Sequence, residues 1–252
     1  MPSAFPLLRR RGAFIPYLCN MNQQVYFEDL GEISYQKAWD YQEYLLSQNV
    51  KRKAIAENTS HHLLLLEHPP VYTLGKSGHQ ENILISNADR EAKGIEFFRT
   101  NRGGDITFHG PGQIVGYPIL DLEKFYTDIG KYLRNLEEVI IDTMATYGLK
   151  GERSKGETGV WLDPGKSGEE RKICAIGVRC SRWITMHGFA FNVNTDLSYF
   201  DHIIPCGIQN KKVTSLRQEL GYELPLTEVK STLKKSFAKI FNTEFIRFSQ
   251  VV

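Results

Sequence analysis

The chain has 252 residues, 41% hydrophobic and 24% charged, with a net charge of only +2, a profile that fits one large globular domain or two small ones. So slight a positive excess gives no general affinity for nucleic acid, and no apolar run approaches the roughly 18 residues of a membrane span. Four cysteines, Cys19, Cys174, Cys180 and Cys206, show neither C-x-x-C nor zinc-type spacing, which points to a reducing, cytoplasmic setting rather than a disulfide scaffold.

Residues 1–20 stand apart. Arg9, Arg10 and Arg11 lie among Phe, Leu, Pro and Ala, and no acidic residue precedes Glu28. Prolines interrupt each apolar run, so a secretory core is excluded. An extended start or disordered tail is expected in preference to an organelle transit peptide, with the catalytic fold over 21–252. Gln24 to Asp29 reads as an edge strand. Ser34 is placed to cap a helix to about Gln48, with Tyr35, Ala38, Trp39, Gln42, Leu45 and Leu46 near helical spacing. Lys51 to Ser60 is polar and reads as loop. His62 to Glu67 carries four consecutive leucines, the mark of a strand buried on both faces. His68-Pro69-Pro70 breaks it, Val71 to Gly75 resumes as strand, and Ile95 to Thr100 is a further strand.

Next comes Arg102-Gly103-Gly104-Asp105-Ile106-Thr107-Phe108-His109-Gly110-Pro111-Gly112-Gln113. Four glycines and a proline in twelve residues exclude the interior of a helix or strand. Glycines alone would indicate a surface turn. Arg102, Thr107, His109 and Gln113 in the same stretch, followed by the apolar strand from Ile114 to Leu120, indicate the wall of a ligand site.

Asp128 is placed to cap a helix to Tyr147 with Gly148 as its stop; Ile129, Leu133, Leu136, Ile140, Met144 and Tyr147 share one face. Gly159 to Leu162 reads as a short strand. Asp163 to Arg171 contains no large apolar residue and reads as a mobile insertion. Ile173 to Cys180 and Trp183 to Val193 read as antiparallel strands joined at Ser181-Arg182. Asp201 to Lys212 reads as a loop around Pro205-Cys206-Gly207, Thr227 caps a last helix, and Glu244 to Phe248 is a final strand. Strands outnumber helices and seldom alternate with them, so the expected class is α+β, a single domain around a mixed sheet.

Nucleotide cradles are absent from the sequence. Gly75-Lys76-Ser77 and Gly165-Lys166-Ser167 each lack the earlier glycine of a P-loop, since Pro70 and Val160 stand there. Gly110, Gly112 and Gly116 miss the dinucleotide spacing by one residue. Cys174 and Cys180 sit in apolar strand contexts, where cysteine is usually a small hydrophobe. Cys206, between Pro205 and Gly207, is the better nucleophile candidate.

The sequence resembles the lipoyl(octanoyl) transferases. The resemblance lies in His68-Pro69-Pro70-Val71-Tyr72-Thr73-Leu74-Gly75, the Arg102–Gln113 loop, Gly159-Val160-Trp161, Lys172-Ile173-Cys174-Ala175-Ile176-Gly177, His187-Gly188-Phe189-Ala190-Phe191-Asn192-Val193-Asn194 and Pro205-Cys206-Gly207. These occur in the family's order from about Val25 to Leu216. The resemblance implies the biotin/lipoate protein ligase-like fold. It also implies transfer of an octanoyl group from octanoyl-acyl carrier protein to a lysine of lipoyl domains, those of 2-oxoacid dehydrogenases and the glycine cleavage H protein. Cys206 would carry the acyl group, with Lys172 as its partner. Arg102 to His109, Ala175, Ile176, Gly177, Gly188, Phe189 and Ala190 would line the substrate pocket. The extension at 1–20 and the polar insertion at 163–171 depart from the family pattern without touching a motif.

These roles are chemically coherent. Passing an acyl group from a thioester to an amine runs downhill, so no ATP, metal or other cofactor is expected. A free thiol of pKa near 8.5 is about 3% ionised at pH 7. A cation that brought it to about 6.5 would raise the thiolate fraction some 25-fold. Intrinsic nucleophilicity would then fall about eightfold, leaving a gain of only about threefold. Lys172 must therefore also move protons. Amides of the glycine loop are candidate oxyanion donors. His109 is left between touching the thioester and bracing its loop; His187 and Asn192 read as strand-bracing residues. A cysteine thioesterase, a non-catalytic lipoyl-domain binder and an ATP-dependent lipoate ligase are the rival readings.

Overall fold

The computed structural model describes residues 23–204 and 212–247. In chain order the strands and helices begin with β1 (Gln23–Glu32), α1 (Tyr35–Ala54), β2 (His61–Glu67) and β3 (Val71–Leu74). Then follow α2 (Asn87–Ala92), β4 (Glu96–Arg99), β5 (Ile106–His109), β6 (Gln113–Ile119) and α3 (Ile129–Ala145). The last are β7 (Val160–Leu162), β8 (Arg171–Ser181), β9 (Ile184–Asn192), β10 (Lys212–Val213), α4 (Leu216–Leu220), α5 (Leu226–Phe241) and β11 (Thr243–Arg247).

A mixed sheet runs β10-β8-β9-β6-β2-β1-β11, with β7 also paired to β8; a second sheet runs β4-β3-β5. The fold class is α+β, as the sequence indicated. The four leucines of β2 show why the large sheet is buried on both sides. Leu63 and Leu65 enter the cluster that includes α3 and α5 residues such as Leu136 and Phe237. Leu64 and Leu66 enter the cluster that includes Ala38, Leu45 and Leu46 of α1. Strand alternation thus feeds two cores from one run of identical residues. Tyr72, Leu74 and Phe108 of the small sheet form a third core with Phe200 and Ile203.

Several local expectations change. β1 is not an edge: it lies between β2 and β11, parallel to both. α1 continues past Gln48 because neither glycine nor proline stops it, and Lys51, Arg52 and Lys53 suit the negative end of its dipole. Lys53 Nζ then reaches Asp121 Oδ1 at 3.0 Å, so part of the polar stretch read as loop is helix. Ser34 occupies the N-cap position without a capping hydrogen bond, whereas the Asp128 side chain accepts from Lys131 N as expected. The β8–β9 turn is Arg182-Trp183, one residue later than read, and both have positive φ, 50° and 66°, the twist a two-residue hairpin requires. α5 starts at Leu226 after Pro225, so Thr227 lies inside the helix. No helix among the described residues is long and apolar enough to cross a membrane.

The 163–171 segment is pinned at both ends. Arg171 donates to Asp163 Oδ2 at 2.7 Å and to both carboxylate oxygens of Glu219 at 2.6 and 2.8 Å. Residues 1–20 and Cys206 lie outside the described residues.

Candidate active site

A cavity of about 530 Å³ opens between the glycine loop, β8 and β9. Arg102, Gly103, Gly104, Asp105, Ile106, Thr107 and His109 form one wall. Ala175, Ile176 and Gly177 of β8 with Gly188, Phe189 and Ala190 of β9 form another. Lys172 joins the lining, together with Leu133 of α3 and Gly156, Glu157 and Thr158. All the expected pocket residues meet here except Phe108. Its ring does not line the cavity but stacks on Tyr199 at 4.5 Å, interplanar angle 5°, and packs against Phe200. Alternation along β5 sends it to the face opposite Thr107 and His109.

Glycine makes the close approach of loop and sheet sterically feasible. A Cβ on Gly177 would stand 2.7 Å from Gly103 O of the loop; within the sheet, one on Gly188 of β9 would stand 2.2 Å from Gly116 O of β6. Gly103 N also donates to Val178 O at 2.9 Å, so the loop is hydrogen-bonded to the sheet. That amide and Ile106 N, which donates to Asp105 Oδ1, are already engaged, which narrows the amides left for an oxyanion.

A buried relay orders the loop. Arg102 Nη2 donates to Thr73 O and Oγ1 at 2.6 and 2.9 Å. Gln113 Nε2 donates to Phe108 O and Asn192 Oδ1, which leaves Gln113 Oε1 to accept from His109 Nδ1 at 2.8 Å. His109 Nε2 therefore accepts from Thr73 Oγ1 at 3.2 Å. Asn192 Nδ2 completes the line by donating to Thr214 O, and Thr214 N donates to Lys172 O at 2.9 Å. Both ring nitrogens of His109 are thus committed within the protein. Burial, with the charge of Arg102 nearby, pushes its pKa well below the ordinary value. His109 braces the loop; it is not a free base.

Sequence reasoning missed part of the wall. Tyr35, Tyr117 and His187 also line the cavity. His187 has φ 56°, which frees its N–H from ordinary strand geometry; the buried Gln42 side chain accepts it at 2.8 Å. Its Nε2 donates to Asn101 Oδ1 at 2.7 Å, and burial brings its pKa down to about 3. Tyr35 and Tyr117 gave no signal beyond that of core aromatics, because the cavity wall here is the core.

Lys172 is the second residue of β8, and its Nζ lies 4.5 Å from the centroid of the Trp161 ring. Val213 pairs with Lys172 and also lines the cavity. Cys174 is fully buried, and desolvation pushes its thiol far above the ordinary range, as its reading as a core residue requires. Cys180 is half-buried and likewise raised by burial.

Residues 34–238 match the family model for the lipoyl protein ligase A/B catalytic domain. The chain is 57% identical over 231 residues to an octanoyltransferase of Christiangramia forsetii, covering 89% of this chain and 98% of that protein. It is also 57% identical to an octanoyltransferase of Flavobacterium johnsoniae, covering 90% and 100%. Among solved structures, it resembles a bipartite lipoate protein ligase of Thermoplasma acidophilum, described with its E2 lipoyl domain, at TM-score 0.65 and 16% identity, covering 90% and 86%. Lipoate-protein ligase A bound with ATP gives TM-score 0.65 at 15% identity, covering 90% and 88%. At those identities the likeness establishes the fold alone.

Proposed function

Because the chain belongs to the lipoyl protein ligase A/B catalytic-domain family, we propose that it transfers octanoyl from octanoyl-acyl carrier protein to the acceptor lysine of lipoyl domains through a Cys206 thioester. It is an acyltransferase, and its relatives of highest identity above are octanoyltransferases. The acceptors are the lipoyl domains of 2-oxoacid dehydrogenases and the glycine cleavage H protein.

One observation carries the residue assignment. Val213, seven residues after Cys206, pairs with Lys172 on the cavity wall. Ile204, two residues before Cys206, donates its N–H to Asn82 O at 2.8 Å, and the Asn82 side chain donates to Asp105 of the glycine loop at 2.6 Å. The chain therefore enters and leaves the Cys206 stretch beside the cavity lined by Lys172.

In the first half-reaction the Cys206 thiolate attacks the donor carbonyl. A new C–S bond forms, the pantetheine C–S bond breaks, and Lys172 gives its proton to the leaving thiolate. In the second the acceptor amine attacks the Cys206 thioester. An amide forms, the cysteine thiolate leaves, and the surplus amine proton returns to Lys172. Each cycle restores both residues, and no phosphoryl donor is consumed.

The test is intact-mass analysis after mixing with octanoyl-carrier and no acceptor. Wild type gains one octanoyl mass, labile to hydroxylamine, and Cys206→Ala gains none. Cys174→Ala and Cys180→Ala are still acylated. Full transfer by the Cys206→Ala protein, or an adduct on another cysteine, overturns the assignment. ATP dependence would indicate a ligase, and release of free octanoate without amide a thioesterase.

A further inference from the structure

We propose that Trp161 is a positioning residue, its ring forming with Gly159 a seat that holds the Lys172 ammonium in one place on the cavity wall. The seat itself is read from packing; its consequence for turnover rests on the proposed role of Lys172.

Four features build it. The β7–β8 ladder is irregular: Val160 pairs with Cys174, but Trp161 pairs with Lys172 rather than Ile173. A bulge of this kind re-aims side chains, and here it sets Trp161 directly opposite Lys172, where cross-strand side chains meet. Lys172 Nζ accordingly lies 4.5 Å from the indole centroid, within the range where a ring face attracts an ammonium ion but not a neutral amine.

Gly159 supplies the other side. Its φ is 121°, and a Cβ there would stand 2.5 Å from Cys174 O and 3.5 Å from Lys172 Cε. The Cys174 carbonyl and the positive φ thus keep this position a glycine, and the end of the lysine stem lies beside it.

Both parts are anchored. Gly159 N donates to Glu137 Oε1 at 3.0 Å, and that fully buried carboxylate is compensated by Arg134 at 2.8 Å and Arg153 at 3.0 Å. Trp161 is locked by paired backbone bonds with Glu152, Trp161 N donating to Glu152 O at 2.9 Å and Glu152 N to Trp161 O at 2.8 Å. A surface lysine ordinarily samples many rotamers; this one is confined by an aromatic face and a glycine.

The experiment compares wild type, Trp161→Phe and Trp161→Leu. Each is labelled with an amine-acetylating reagent at one fixed pH, and the rate at Lys172 is read by peptide mass mapping against the other lysines as internal references. Loss of the ring face in Trp161→Leu is expected to speed labelling of Lys172 about fivefold to tenfold relative to those references, while Trp161→Phe, which keeps a ring face, stays near wild type. In acyl transfer, kcat of Trp161→Leu falls about tenfold with KM for the donor unchanged, and Trp161→Phe restores most of it. Wild-type labelling of Lys172 in a folded Trp161→Leu protein overturns the seat. Should Trp161→Leu fail to fold, Trp161→Phe decides: Lys172 labelling accelerated as a bare surface lysine would be overturns the proposal. A changed labelling rate with unaltered kcat would leave the seat standing and overturn the proton-transfer role of Lys172 instead.

Discussion

His109 shows how burial decides what a residue does. An imidazole in a glycine-rich loop beside a pocket invites a catalytic reading, yet both its nitrogens are spent on Thr73 and Gln113. Replacing it with phenylalanine keeps volume but strands a buried hydroxyl and a buried amide oxygen, each worth about 1–3 kcal/mol. His109→Phe is therefore expected to lose about 2–6 kcal/mol in urea unfolding, while the pH profile of its residual acyl transfer keeps the wild-type shape. A lost or displaced limb in that profile would make His109 an acid or base after all. The glycine loop was legible in the sequence because glycines and polar groups precede an apolar run there, whereas the β8 and β9 residues of the wall were expected only from the family resemblance. Phe108 was misplaced for a simple reason: a contiguous motif hides the alternation of β5, which turns the Phe108 ring away from Thr107 and His109 and onto Tyr199.

Elements with strong periodicity were readable; their ends and joins were not. The leucines of β2 and the cap of α3 carried their own signals. The last turn of α1 did not, because its polar residues are held by contacts far along the chain, Lys53 to Asp121 above all. The separate small sheet was equally hidden, since pairing of β3 with both β4 and β5 depends on partners that no local pattern names. The insertion gives a direct test of this element-level picture. Leu162 pairs with Arg171, and Asp163 already has φ 50°. Deleting Pro164–Glu169 leaves Asp163-Glu170 as a two-residue connection between paired strands, the geometry hairpin turns favour. The deletion is expected to cost less than about 1 kcal/mol, and adding Glu170→Gly should recover it by supplying the second positive φ. A melting temperature lowered by more than about 8 °C would show that the segment packs on the sheet.

At the scale of the molecule, the two-sided core encloses imidazoles that water would otherwise titrate. His61, His68 and His187 are buried, and desolvation lowers their pKa values to about 4, about 4 and about 3; His109 lies well below its ordinary value for the same reason. His68 shows the arrangement that tolerates neutrality: its Nδ1 donates to Ile33 O at 2.7 Å, so Nε2 accepts from the Tyr117 hydroxyl at 2.8 Å. The sign of the linkage follows. Above the unfolded-state value near 6.5 neither state binds these protons, and the full stability is present. As pH falls below it, the unfolded chain takes up protons the folded chain refuses, and stability is lost until the folded values are reached. His61, His68 and His187 acting together should remove about 4 kcal/mol between pH 7.5 and 5.5, with His109 adding in the same direction, a large share of the 5–15 kcal/mol typical of a domain. Urea titrations at pH 7.5, 6.5 and 5.5 are expected to show the midpoint dropping most steeply over the lower interval. A midpoint unchanged across that range would mean the histidines become charged inside the fold, and the neutral hydrogen-bond directions assigned to His68 and His109 would have to be reversed.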